Sequence, residues 1–146
     1  MKNNESRFRF KLPGGWEDQT VFSFRGPSED DMEHNLLLVI DRHLQYDDIE
    51  DYAVEKTMPL TESMPDLIVM KNEEVTVEGG NPCFEFVAKW IPSEDSTVIQ
   101  KHVFVFSEGL GFHFSINFNK KTYKLLNLQL GQVIESILPG TYEPFE

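Results

Sequence analysis

The chain has 146 residues, one cysteine and a formal net charge of −12, from 25 acidic and 13 basic side chains. That length holds a single domain, residues 1–146, with no room for a second core. One cysteine excludes an internal disulfide, and an acidic field of this size opposes nucleic acid and anionic membrane as partners.

Ten of the twelve phenylalanines fall in five Phe-x-Phe pairs: Phe8/Phe10, Phe22/Phe24, Phe84/Phe86, Phe104/Phe106 and Phe112/Phe114. Residues two apart share a side only on a β-strand, so each pair marks a strand. The polar start, Met1–Arg9, lacks the apolar stretch of a signal peptide, and Leu36–Ile40 is far too short to span a membrane. A cytoplasmic location without membrane insertion is the expectation.

In chain order, Phe8–Leu12 is a first strand, stopped by Pro13-Gly14-Gly15. Thr20–Arg25 and Asn35–Arg42 are the second and third, joined by an acidic loop. Asp47-Asp48 starts a helix with acids in its first turn, carried by Ile49, Tyr52, Ala53, Lys56, Leu60 and Met64. Pro59 falls inside this pattern, which predicts a break or kink there. Leu67–Val77, Cys83–Ile91, Val98–Phe106 and Leu110–Phe118 are further strands. Turns at Glu78-Gly79-Gly80-Asn81, Pro92-Ser93-Glu94-Asp95 and Ser107-Glu108-Gly109 join them. Lys121–Leu138 is a closing helix with an apolar stripe at Leu126, Leu130, Val133 and Ile137. The class is α+β: a mostly antiparallel sheet of about six or seven strands with two main helices packed on it.

Alternation suggests one aromatic face that the helices cover. It leaves a second face whose apolar members are Val21, Leu37, Val39, Val87, Val103 and Val105. Leu36–Ile40 and Val103–Phe106 are apolar on both sides, as buried central strands are, so that second face needs shielding too. Loops, a second copy of the chain or a partner could supply it.

No catalytic signature is present. The four histidines, His34, His43, His102 and His113, show no metal-binding spacing, and no cofactor is called for. Cys83 has no basic activator beside it and reads as a buried small residue.

The string from Phe10 to Thr20, with Leu12-Pro13, Trp16 and Asp18 inside it, resembles the opening of the DcrB-related family. Val39-Ile40-Asp41-Arg42, Met64-Pro65, Gly80-Asn81-Pro82, Trp90, Lys101-His102-Val103-Phe104 and Ile134-Glu135-Ser136 follow in the family's order. The resemblance implies a Mog/PsbP-like fold. For a cytosolic chain it implies similarity to the Eag chaperones of type VI secretion. Those hold the hydrophobic N-terminal helices of effector proteins in soluble form, commonly as homodimers, without catalysis. Carried over by position, the family's partner-binding residues fall on Val21, Ser23, Leu37 and Val39. A polar contact falls on His102, where the family often has Gln, with Gln100 a neighbouring substitute. Val103 and Val105 complete the expected partner-binding set. The alternative is a general protein-interaction domain of the same fold with an unrelated soluble partner.

Overall fold

The computed structural model describes residues 11–75, 80–93 and 96–135. Six strands and two helices follow in the order β1 (Val21–Arg25), β2 (Asn35–Asp41), α1 (Ile49–Ser63), β3 (Ile68–Val75), β4 (Cys83–Ser93), β5 (Ser96–Ser107), β6 (Leu110–Phe118) and α2 (Lys120–Glu135). The strands form one antiparallel sheet in the order β1-β2-β6-β5-β4-β3. The fold is α+β. The strand expected over Phe8–Leu12 lies mostly outside the described residues. So do residues 76–79 and 94–95 of the expected turns, the helix end past Glu135, and the side chains of Val133 and Ile137.

Each helix takes one face of the sheet. Asp48 caps α1, its carboxylate accepting from the Glu50 N–H, and Glu50 and Asp51 sit at the positive end of the helix dipole. The helix buries Ile49, Tyr52 and Ala53 against Phe84, Phe86, Ala88, Phe104 and Phe106. Tyr52 meets Phe104 edge-on with ring centres 5.7 Å apart, a favoured aromatic geometry. Pro59 does not break α1, contrary to its position in the pattern: the helix runs through it to Ser63. The proline is exposed, so the Glu55 carbonyl it leaves without an N–H partner can turn to water.

On the other face, Leu126 and Leu130 of α2 pack on Val87, Ile99, Val103, Val105, Phe112, Phe114 and Phe118. Asn119 starts α2 by accepting from the Thr122 N–H at 2.7 Å, while the Thr122 hydroxyl accepts from the Asn119 N–H at 3.0 Å. This reciprocal pair satisfies helix-start groups that would otherwise be orphaned.

The expectation of a single aromatic face is therefore corrected. Phe84, Phe86, Phe104 and Phe106 belong to the α1 side, whereas Phe112 and Phe114 belong to the α2 side. Phe22 and Phe24 follow the latter, since Phe22 pairs with Leu38 and Leu38 with Phe114. Alternation fixes which residues of one strand share a face. Register between strands decides how those faces join.

Candidate functional site

Two cross-strand rows carry the face of the sheet that α1 covers only in part. One runs Val21, Val39, His113, Phe104, Phe84 from β1 to β4, and the next runs Ser23, Leu37, Ser115, His102, Phe86. Directly paired side chains on one face stand close enough to touch, so each row is a continuous strip. The β4–β5 end lies under α1, where Phe84, Phe86 and Phe104 are buried. At the other end Val21, Leu37 and Val39 are 49%, 38% and 40% exposed. The result is an aliphatic floor beside α1, with Ser23 and Ser115 set in it.

Two imidazoles mark the border between the covered and open halves. His102 Nε2 donates to Gln100 Oε1 at 3.4 Å, so its Nδ1 carries the lone pair and accepts from His113 Nε2 at 2.9 Å. His113 stacks on Phe104 with ring centres 4.4 Å apart, and His102 lies 6.0 Å from Phe86. Burial lowers the His102 pKa to about 4. Burial, with repulsion from His102 and Lys56, lowers that of His113 to about 3. Both rings are neutral at neutral pH, as the hydrogen bond between them requires. The two rows of the open floor thus present aliphatic and uncharged polar groups, with Arg25 and Asp41 at the ends of the same face.

Of the residues expected to bind a partner, Val21, Ser23, Leu37, Val39, Gln100 and His102 lie on this one face. Val103 and Val105 do not, and their assignment to it is corrected. They pair with Phe114 and Phe112 on the α2 side, each only 1% exposed. Val87 lies there too, also 1% exposed. His113 and Ser115 were not in the expected set, although register places them at its centre.

Other chemistry finds little support. Cys83 is buried and its thiol is pushed up to about 12, chiefly by desolvation, which keeps it protonated and unreactive. Among the described residues no group of three or more His, Cys, Asp or Glu is placed to hold a metal ion. Among them, too, no helix is long and apolar enough to cross a membrane.

Comparison with known proteins adds a fold and a family. The Pseudomonas aeruginosa protein PA94, of unknown function, superposes with a TM-score of 0.70 at 15% identity, over 88% of this chain and 89% of its own. LpqN of Mycobacterium tuberculosis, involved in cell envelope biogenesis, gives a TM-score of 0.48 at 11% identity, over 79% of this chain and 68% of its own. No curated protein matches the sequence. The DcrB family matches residues 8–136, nearly the whole chain, and the protein belongs to that family.

Proposed function

We propose that this chain is a non-catalytic chaperone or adaptor that binds and shields transmembrane-type helices of a secreted effector. It would act in the cytoplasm, commonly as a homodimer, and serve type VI secretion. The observation that carries this reading is the half-covered face. Val21, Leu37 and Val39 are large aliphatic side chains left well exposed, continuous with a core that α1 closes only on its far side.

The physics suits such a client. A transmembrane helix in water exposes apolar surface, and covering it is worth about 25 cal/mol per Å². The floor is aliphatic, so it imposes no ring-stacking geometry, and its neutral imidazoles and serines bring no charge that an apolar helix would have to desolvate. Holding a helix needs no turnover, so this reading assigns no catalytic role to the serines and imidazoles of the floor.

The test is co-expression with a hydrophobic helical client and measurement of its capture by Val21→Asp and Val39→Asp variants. Both should fold as the parent does and lose the client. If both retain it, the reading is wrong. If pull-down from the host yields instead a soluble partner without apolar helices, the general protein-interaction reading takes its place.

A further inference from the structure

We infer that a polar cleft on the opposite side of the sheet, between α2 and strands β3–β5, binds a small carboxylate-bearing molecule. The cleft is about 240 Å³ and is lined by Lys71, Glu85, Lys101, Tyr123, Asn127 and Gly131, among others. It stands apart from the open floor and does not depend on the function proposed for that floor.

The argument begins with Lys101. Its side chain is 5% exposed, and a buried ammonium is costly unless fully paired. Its carboxylate partner is shared. Glu85 gives one oxygen to Lys71 at 2.5 Å and the other to Lys101 at 3.4 Å. Burial alone would raise the Glu85 pKa, but the two ammonium groups outweigh it and lower it, so the carboxylate is charged. Within the cleft lining two cations thus face one anion, in a chain of net charge −12. Glu73 also pairs with Lys71, at 3.7 Å, from a 63% exposed side chain outside that lining, so it leaves the buried Lys101 without a second carboxylate.

The polar groups around this charge are mostly donors. Asn127 turns its Oδ1 to the Lys101 ammonium at 2.6 Å, which leaves its amide N–H groups for another acceptor. Lys101 has a third N–H that no described residue takes. The Tyr123 hydroxyl lies in the same wall. A lining with one cation in excess of its carboxylate and several N–H and O–H donors matches a monoanion better than a doubly charged phosphate. The volume limits the ligand to a compact molecule.

Gly131 supplies a probe that spares the fold. It lies in α2 and lines the cleft, and a Cβ built on it meets nothing within 4 Å. Gly131→Leu should therefore raise helix propensity while filling the cleft.

The experiment follows amide shifts of the full chain, including the Asn127 side-chain amide, during titration with acetate, lactate, phosphate and chloride at constant ionic strength. Saturable shifts around the cleft are expected with the carboxylates. Gly131→Leu should abolish them, and Lys71→Gln or Tyr123→Phe should weaken binding about tenfold, as loss of one charge-assisted hydrogen bond does. Equal shifts with chloride, tighter binding of phosphate, or unchanged binding in Gly131→Leu would each overturn the assignment.

Discussion

The Nε2 of His113 donates to the Nδ1 of His102 across the β5–β6 ladder at 2.9 Å, with Gln100 accepting from the far side of His102. This chain of neutral groups sits in the middle of the sheet face, where the α1-covered core meets the open aliphatic floor. Protonating both rings leaves four N–H donors and no lone pair between them, so acid must break the pair.

That gives a stability prediction with a definite sign. His102 and His113 have folded pKa values of about 4 and about 3, below the ordinary 6.5. The unfolded chain therefore binds more protons between those limits, and stability rises with pH there. The neutral pair's contribution is complete above about pH 6.5 and is lost as pH falls toward 4 and below. The shift of His102 alone corresponds to on the order of 3 kcal/mol. Urea unfolding of the parent should show midpoints dropping between pH 6.5 and 4.5, and His102→Gln/His113→Gln should flatten that slope. Loss of the Glu85 ion pairs adds an acid slope of the same sign, but below the ordinary carboxylate value of 4.5. An equal slope from pH 6.5 to 4.5 in the double variant would refute the assignment.

A second prediction separates the two faces. Val39→Asp places a carboxylate on a side chain that is 40% exposed and should cost less than about 1 kcal/mol, as surface substitutions do. Val103→Asp buries an unpaired charge beneath α2 and should cost more than about 4 kcal/mol, enough to unfold many domains. Thermal melts of the two variants side by side decide this. Similar losses would mean that the faces are misassigned.

The sequence carries most of the fold, because alternation, turn residues and the Asp48 cap each leave a local mark. What it under-determines is how the strand faces join, and the β5–β6 hairpin shows why. Counting Ser107 with Glu108 and Gly109 as a three-residue loop pairs Phe106 with Leu110 and gathers all the Phe pairs on one side. The actual turn has two residues: Glu108 and Gly109 both take positive φ, and Ser107 pairs with Leu110. That one-residue difference exchanges the faces of the whole partner strand. It places His113 and Ser115 beside Phe104 and His102, and sends Val103 and Val105 to the α2 side with Phe114 and Phe112. Gly109 marks a turn there, but Glu108 is not a residue that favours positive φ, so only half of this signal was legible in the sequence. The meeting of Lys71, Glu85 and Lys101 with Asn127 was not, because it depends on where α2 lands.

Gly111 offers a third prediction. A Cβ there would meet the Tyr52 hydroxyl at 3.0 Å, with Leu44 Cδ1 and Tyr52 Cζ both at 3.1 Å. Tyr52 is 2% exposed and held by Phe104 and Phe106, so it has little room to move. Gly111→Ala should cost about 1–3 kcal/mol through overpacking. In a Tyr52→Phe background the closest atom is gone and the cost should shrink, though Cζ still crowds the new methyl. A double-mutant cycle measured in urea gives the coupling, and additivity of the two changes would show that the Tyr52 hydroxyl is not what excludes a side chain at Gly111.

Pro59 gives the last. It lies in the interior of α1 and is exposed, and it supplies no N–H to the carbonyl of Glu55 one turn earlier. Pro59→Ala restores that hydrogen bond and replaces the poorest helix former with the best, a gain of up to about 3 kcal/mol. Against it, alanine loosens the unfolded chain, which takes back about 0.4–1 kcal/mol. The backbone term is larger, so the variant should be more stable by about 1–2 kcal/mol, with higher helical circular dichroism. Because the side chain is exposed, no lost core contact should confuse the reading. A variant less stable than the parent would mean that α1 needs the geometry proline imposes, and that the helix is shaped at Pro59 to fit Phe84, Phe86 and Phe104 beneath it.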